Sequence, residues 1–224
     1  MTESGEPEEY RQYRFARPVG ACELLLIRHG ESAPTRPGID VPLLDGHADP
    51  PLDPVGNEQA SRLAGRLADE QLAALYVTPL RRTHETAAPL AAKLGLEPVV
   101  EPDLREVFLG EWETTFRQRV AEEDPLAREM IAAGRWDVIP GAEAAADFCG
   151  RIVGAVQSIA ARHADQAVAV FAHGGVIAQL AAHTTGGRPF AFLPDNGSIT
   201  QLVVCGEQWI LRRYNDTAHL GPLV

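Results

Sequence analysis

Leu24-Leu25-Leu26-Ile27-Arg28-His29-Gly30 is the stretch on which the fold turns. A short, continuous apolar run of this kind suits a strand buried on both faces of a parallel sheet. The run ends abruptly in Arg28, His29 and a glycine. The same arrangement returns late in the chain, where Val168-Ala169-Val170-Phe171 leads into Ala172-His173-Gly174-Gly175. A third apolar run, Ala74-Leu75-Tyr76-Val77, leads into Thr78-Pro79-Leu80-Arg81-Arg82. In open α/β sheets, ligands bind in the crevice outside the carboxyl ends of the strands. Three strand ends thus offer two histidines and up to three arginines to one edge of a sheet. Arginine forks match phosphate oxygens bidentately, and histidine serves as nucleophile or proton carrier near neutral pH. The combination suits phosphoryl chemistry.

The segments between these strands read as helices and loops. Residues 33–54 are rich in Pro and Gly and are expected to be mostly loop. Asp53 as N-cap with Pro54 at the first helical position opens a helix carrying Ala60, Leu63, Ala64 and Leu67. A second helix has Ala87, Leu90, Ala91 and Leu94 at helical spacing and is stopped by Gly95. Ile152, Val156 and Ile159 mark a further helix, another follows over about 176–183, and strands at 199–205 and 209–214 form a hairpin around Gly206-Glu207. Strand and helix alternate, which argues for an α/β sheet. Residues 111–141 break that rhythm, with polar helix-compatible sequence at 117–133 and isolated Trp112, Phe116 and Trp136, and read as an insertion covering something.

Composition narrows the function classes. The 224 residues give room for one substantial domain. A net charge of −11 argues against a nucleic-acid groove, which needs clustered Lys and Arg, yet leaves a small anionic substrate open. Cys22, Cys149 and Cys205 are odd in number and far apart, so neither a disulfide framework nor a zinc ribbon is expected. No apolar run approaches the ~18 residues of a membrane span, and the polar, acidic start has no signal-peptide h-region. A cytoplasmic protein is expected, with residues 1–20 a flexible leader and 21–224 a single domain interrupted by the insertion at about 111–140.

These motifs resemble, in order, those of the histidine phosphatase superfamily, the phosphoglycerate-mutase-like proteins. The signature is Leu26-Ile27-Arg28-His29-Gly30-Glu31-Ser32. Pro51-Leu52-Asp53-Pro54-Val55-Gly56-Asn57-Glu58-Gln59-Ala60 is similar to the family's helix opening, and Thr78-Pro79-Leu80-Arg81-Arg82-Thr83 to its arginine motif. Leu104-Arg105-Glu106 with Gly110-Glu111-Trp112-Glu113, Pro140-Gly141-Ala142-Glu143, Phe171-Ala172-His173-Gly174-Gly175 and Asn196-Gly197-Ser198-Ile199-Thr200 continue the likeness. The resemblance implies a mostly parallel central sheet with helices on both faces and a small helical insertion over the active site.

It also implies roles. His29 is the residue that would be transiently phosphorylated, Glu106 the proton donor to the leaving alcohol, and His173 a further catalytic residue. Arg28, Arg82 and His173 would hold the phosphoryl oxygens. Arg81 competes with Arg82 for that role and is expected on the surface instead. Glu31, Trp112 and Phe116, with Trp136, are candidates for lining the substrate pocket. His47, His163, His183 and His219 follow no ligand spacing and are expected on the surface. No metal or cofactor is implied, the partner is a small phosphorylated substrate, and neither nucleic acid nor membrane is expected; a homodimer stays open.

The departures from the family's pattern favour a phosphomonoesterase over a mutase. Pro34 and Thr35 stand where mutases carry Trp and Asn, and the acid sits in Leu104-Arg105-Glu106 rather than the mutase form. Ala172 replaces a hydroxyl residue before the second histidine and Thr114 a glycine after Trp-Glu, and neither removes a charged catalytic group. The alternatives are a phosphoglycerate-type mutase and a non-catalytic phosphate-binding member of the fold. An α/β-hydrolase reading of His173-Gly174-Gly175 fails for want of a G-x-S-x-G elbow.

Overall fold

The computed structural model describes residues 9, 10, 12–36 and 38–221. Its framework is a six-stranded sheet in the order β5-β4-β6-β1-β7-β8. The strands are β1 (Cys22–Arg28), β4 (Leu72–Val77), β5 (Val99–Val100), β6 (Ala167–Ala172), β7 (Ile199–Cys205) and β8 (Gln208–Asp216). β5, β4, β6 and β1 run parallel, while β7 and β8 are antiparallel. The sheet is mostly parallel, with an antiparallel hairpin at one edge.

Alternation along β1 explains the two-sided core. Leu24 and Leu26 pack on one face with Val168, Val170 and residues of α5 (Ala145–Arg162) and α6 (Gly174–Thr185). Leu25 and Ile27 pack on the other with Ala169, Phe171 and residues of α1 (Pro54–Arg66) and α2 (Arg81–Leu94). A strand with apolar residues on both faces has to lie inside a sheet, and β1 sits between β6 and β7.

Three short strands, β2 (Leu43–Leu44), β3 (His47–Ala48) and β5, have no strand signal in the sequence pattern. Within 33–54, β2 and β3 pair as a small antiparallel ribbon. Its turn is Asp45-Gly46, both with positive φ (50° and 84°), the chemistry of a two-residue hairpin turn. β5 has only two residues, both exposed, and pairs with the end of β4. The insertion folds as two short helices, α3 (Phe116–Ala121) and α4 (Pro125–Ala133). Glu123 adopts a left-handed φ of 56° between them, and the Asp124 side chain caps α4 by accepting from the Leu126 N–H. Trp112, Ala127, Met130 and Ile139 form the insertion's own core.

Residues 1–8 and 11 of the expected leader lie outside the described residues. Nearer the sheet, Arg17 donates to the carbonyls of Asp165 and Gln166, and the Gly20 N–H donates to Asp165 Oδ1. Among the described residues, no helix is long and apolar enough to cross a membrane.

The loop after β1 lies against the start of α1 with no room between the backbones. A Cβ on Gly30 would stand 2.6 Å from the Gly56 carbonyl oxygen, and one on Gly56 would overlap the Glu31 carbonyl oxygen. Asp53 caps α1 there by accepting from the Gly56 N–H at 2.7 Å. Gly65, on the same helix, has open space at its Cβ position. Helix propensity alone favours Ala over Gly by up to about 1 kcal/mol at either site. Backbone overlap reverses the sign at Gly56, where overpacking costs about 1–3 kcal/mol. Urea unfolding is expected to show Gly56→Ala destabilised and Gly65→Ala neutral or stabilised; equal effects would show that the close approach carries no energy.

Candidate active site

Residues at the end of β1 and after β4 line one cavity of about 170 Å³, and β6 lies between those two strands in the sheet. Arg28, His29, Arg82, Glu106, His47 and Arg117 are among its lining residues. Arg28 is the last residue of β1 and His29 the next. The His29 ring is buried, and its Nδ1 lies 2.7 Å from the Gly30 carbonyl oxygen. A carbonyl only accepts, so Nδ1 carries the proton and Nε2 keeps its lone pair. Burial, with the Arg82 and Arg28 charges, holds this imidazole well below its ordinary pKa. The ring is therefore neutral at pH 7.

His173 follows β6 and occupies the N-cap position of α6. It is fully buried, its Nε2 lies 2.9 Å from Thr78 Oγ1, and its Nδ1 has no hydrogen-bond partner. The two imidazole centroids are 5.3 Å apart. Burial, followed by the Arg82 charge, also depresses its pKa strongly.

Arg82 stands in the first turn of α2, buried, and donates to the Ala48 carbonyl at 2.8 Å. Arg28 donates to the Pro194 carbonyl at 2.5 Å while its buried Nε is unpartnered. Desolvation lowers both guanidinium pKa values from an ordinary value so high that the groups stay charged. An unpartnered buried donor costs roughly 1–3 kcal/mol. Arg28 Nε is a donor without a partner in this site, and an oxyanion supplies an acceptor. Arg81, by contrast, points away and pairs with Glu85 at the surface.

Glu106 is held by two backbone donors. The Val107 N–H reaches Oε1 and the Gly175 N–H, in the first turn of α6, reaches Oε2, both at 3.0 Å. The loop that carries it is clamped from behind. Arg151 donates to the carbonyls of Asp103, Arg105 and Glu106, and pairs in fork fashion with Glu143. Glu143 in turn accepts from the Phe108 N–H.

Of the pocket candidates, Phe116 and Trp136 line the cavity. Trp112 does not: it is buried in the insertion's core with Arg119 stacked 5.2 Å over its ring. Glu31 does not either, because its backbone is used against α1, where Asp53 N–H donates to its carbonyl, and its side chain faces solvent.

Two residues of the site escaped the sequence reading. Arg117, on α3, lines the cavity and donates to Ser32 Oγ at 3.0 Å. His47, expected at the surface, is buried on β3 beside Glu113 (Nδ1 to Oε1 3.6 Å) and against Phe108. Burial pushes its pKa down to about 4. The Asp45-Gly46 turn was the available signal for His47; nothing local singled out Arg117. Among the described residues, no group of three or more His, Cys, Asp or Glu side chains is placed to hold a metal ion.

The family profile described as histidine phosphatase superfamily, branch 1, matches residues 24–217. The chain belongs to that superfamily. It is 33% identical to phosphoglycerate mutase-like protein 4 of Arabidopsis thaliana over 90% of this chain and 88% of the relative. It is 30% identical to the metal-independent phosphoserine phosphatase of the same plant, over 95% and 91%. Among solved structures, the mycobacterial glucosyl-3-phosphoglycerate phosphatase aligns with a TM-score of 0.72 at 27% identity, covering 89% of this chain and all but 1% of that one, 99%. Relatives of this superfamily member thus include both phosphatases and mutase-like proteins.

The depressed histidines set a pH dependence of stability. His29, His47 and His173 stay neutral in the folded chain below the pH at which the unfolded chain protonates them. Protons then bind preferentially to the unfolded state as pH falls below about 6.5, so stability falls with pH in that window. Each histidine contributes a slope of about 1.4 kcal/mol per pH unit there. Urea midpoints taken from pH 7.5 to 5 are expected to drop, and His47→Gln is expected to flatten the slope by about one proton. Parallel curves would contradict a neutral His47.

Proposed function

We propose that the protein is a metal-independent phosphomonoesterase working through a phosphohistidine on His29. The observation that carries this reading is a buried, neutral imidazole with a free Nε2 in a cavity walled by Arg28, Arg82 and Arg117. Three guanidinium groups are in excess for packing and apt for the three equatorial oxygens of a phosphoryl group, over which charge is spread in the transition state.

In the first step the His29 Nε2 lone pair forms a bond to phosphorus and the ester P–O bond breaks. Glu106, as the carboxylic acid, gives its proton to the departing alkoxide. In the second step the Glu106 carboxylate takes a proton from water, whose oxygen attacks phosphorus as the N–P bond breaks. Inorganic phosphate leaves and His29 returns to its neutral form. The arginines hold the oxygens throughout, and His173 Nδ1 offers a further donor. Electrostatic stabilisation by fixed cations replaces a metal ion here. Arg151 and Glu143 act at one remove, as positioning residues for the Glu106 loop. The phosphatase relatives support hydrolysis, and the loop departures at Pro34 and Thr35 favour it over transfer.

Hydrolysis of p-nitrophenyl phosphate in EDTA tests the reading. The wild type is expected to turn over, His29→Ala to lose activity by at least about 10³-fold, and Glu106→Gln to lose about 10²–10⁴-fold on esters of poor leaving groups. Turnover that requires added metal, or survives in His29→Ala, would contradict it. A folded but inert wild type that moves phosphate on 3-phosphoglycerate only with a bisphosphate primer would instead mark a mutase.

A further inference from the structure

A second cavity, of about 280 Å³, opens from the first across Arg28, Glu106, Phe116 and Trp136, which line both. Its character is different. Beyond Arg28 and Glu106 at the shared end, the walls are Phe116, Val120, Met130, Ile131, Trp136, Ala178, Phe190, Leu193, prolines and glycines. The indole nitrogen of Trp136 is the one polar side-chain atom among those further walls. Trp136 and Phe190 stack with centroids 4.6 Å apart, and Phe116 continues the aromatic wall 5.9 Å from Trp136. At the rim, Ile131 is 54% exposed and Leu193 68% exposed. Apolar side chains left open to water around a cavity mark a binding surface more often than a packing accident.

Its position says what binds. Glu106, the residue that faces the leaving oxygen in the mechanism above, forms part of the wall between the two cavities. An ester with its phosphoryl group among Arg28, Arg82 and Arg117 then has its organic part beside Glu106, at the mouth of the apolar chamber. We propose that this chamber holds the leaving group, and that the substrate is therefore a monophosphate of an alcohol with an apolar body, alkyl or aromatic. The inference rests on the phosphomonoesterase reading. An amino-acid or sugar leaving group fits the chamber poorly, because its ammonium, carboxylate or hydroxyls would lose water without gaining partners. The space is ample: a cavity of about 150 Å³ already takes up benzene. The insertion supplies one side of the wall through α3, α4 and Trp136, and α6 with Pro189, Phe190, Leu193 and Pro194 after it supplies the other.

A homologous series separates this from leaving-group reactivity. The n-alkyl monophosphates from ethyl to hexyl share nearly one leaving-group basicity, so chain length reads burial alone. Both kcat/KM for the esters and Kd for the matching alkylphosphonates, by titration calorimetry, are expected to improve about two- to fourfold per methylene until the chamber is full. Leu193→Asp and Ile131→Asp, both at the rim, are expected to abolish that gain along the series. A flat series, or one unaffected by either substitution, would overturn the proposal while ethyl phosphate hydrolysis kept the phosphatase reading intact. A preference for phosphoserine over hexyl phosphate that disappears in Arg117→Ala would also overturn it, placing an anionic leaving group beside Arg117. Chain-length-dependent phosphonate binding with no hydrolysis of any ester would reject the phosphatase reading, and with it the chamber as a leaving-group site.

Discussion

Holding a neutral imidazole among guanidinium groups, away from water, is the constraint on which the rest of the structure depends. Each component is costly alone. Buried cations lose hydration, and a buried histidine that stays unprotonated in acid reduces stability there. Arg28, Arg82 and Arg117 form no ion pair among the described residues and are held by two main-chain carbonyls and a serine hydroxyl. Their charge is therefore left available to a ligand, in a chain whose net charge is −11. Burial, reinforced by the same cations, keeps His29 neutral, so nucleophile and anion cradle come from one arrangement.

The scaffold meets that cost by rigidity. Three parallel strands with apolar residues on both faces fix the ends from which Arg28, His29, His173 and the Thr78 loop project. Gly30 and Gly56 let the loop after β1 lie on α1 at backbone contact distance. The β2–β3 ribbon exists to good purpose: its Ala48 carbonyl takes Arg82, and its Ala48 N–H is taken by Glu113. Behind Glu106, Arg151 ties down three successive parts of one loop, so that a carboxylate carried outside any helix or strand is still held in one place.

Legibility in the sequence followed the range of the interactions involved. Apolar runs ending in charged residues announce buried strands and their loaded ends, and β1, β4 and β6 with His29, His173 and Arg82 were read that way. Of the neighbouring pair, Arg82 lines the cavity, whereas Arg81 faces Glu85 and solvent. The β2–β3 ribbon has two residues per strand, too short for a periodicity signal, and only Asp45-Gly46 announced it. His47 was misjudged with it, because its burial comes from Phe108 and Glu113, more than sixty residues away. In the insertion, aromatic identity alone could not say which ring faces the cavity: Trp112 packs inward, whereas Phe116 and Trp136 face out over the site. Arg117 depends on where α3 docks, a tertiary fact with no local signature.

The claim that His29 is the covalent nucleophile is tested most directly by trapping the intermediate. A ³²P-labelled ester mixed with the enzyme and quenched in alkali, where phosphohistidine survives, is predicted to leave the label on the peptide containing His29. His29→Ala is predicted to leave none. Turnover with the label on another residue, or with no labelled peptide under conditions where Glu106→Gln slows the second step, would contradict the account.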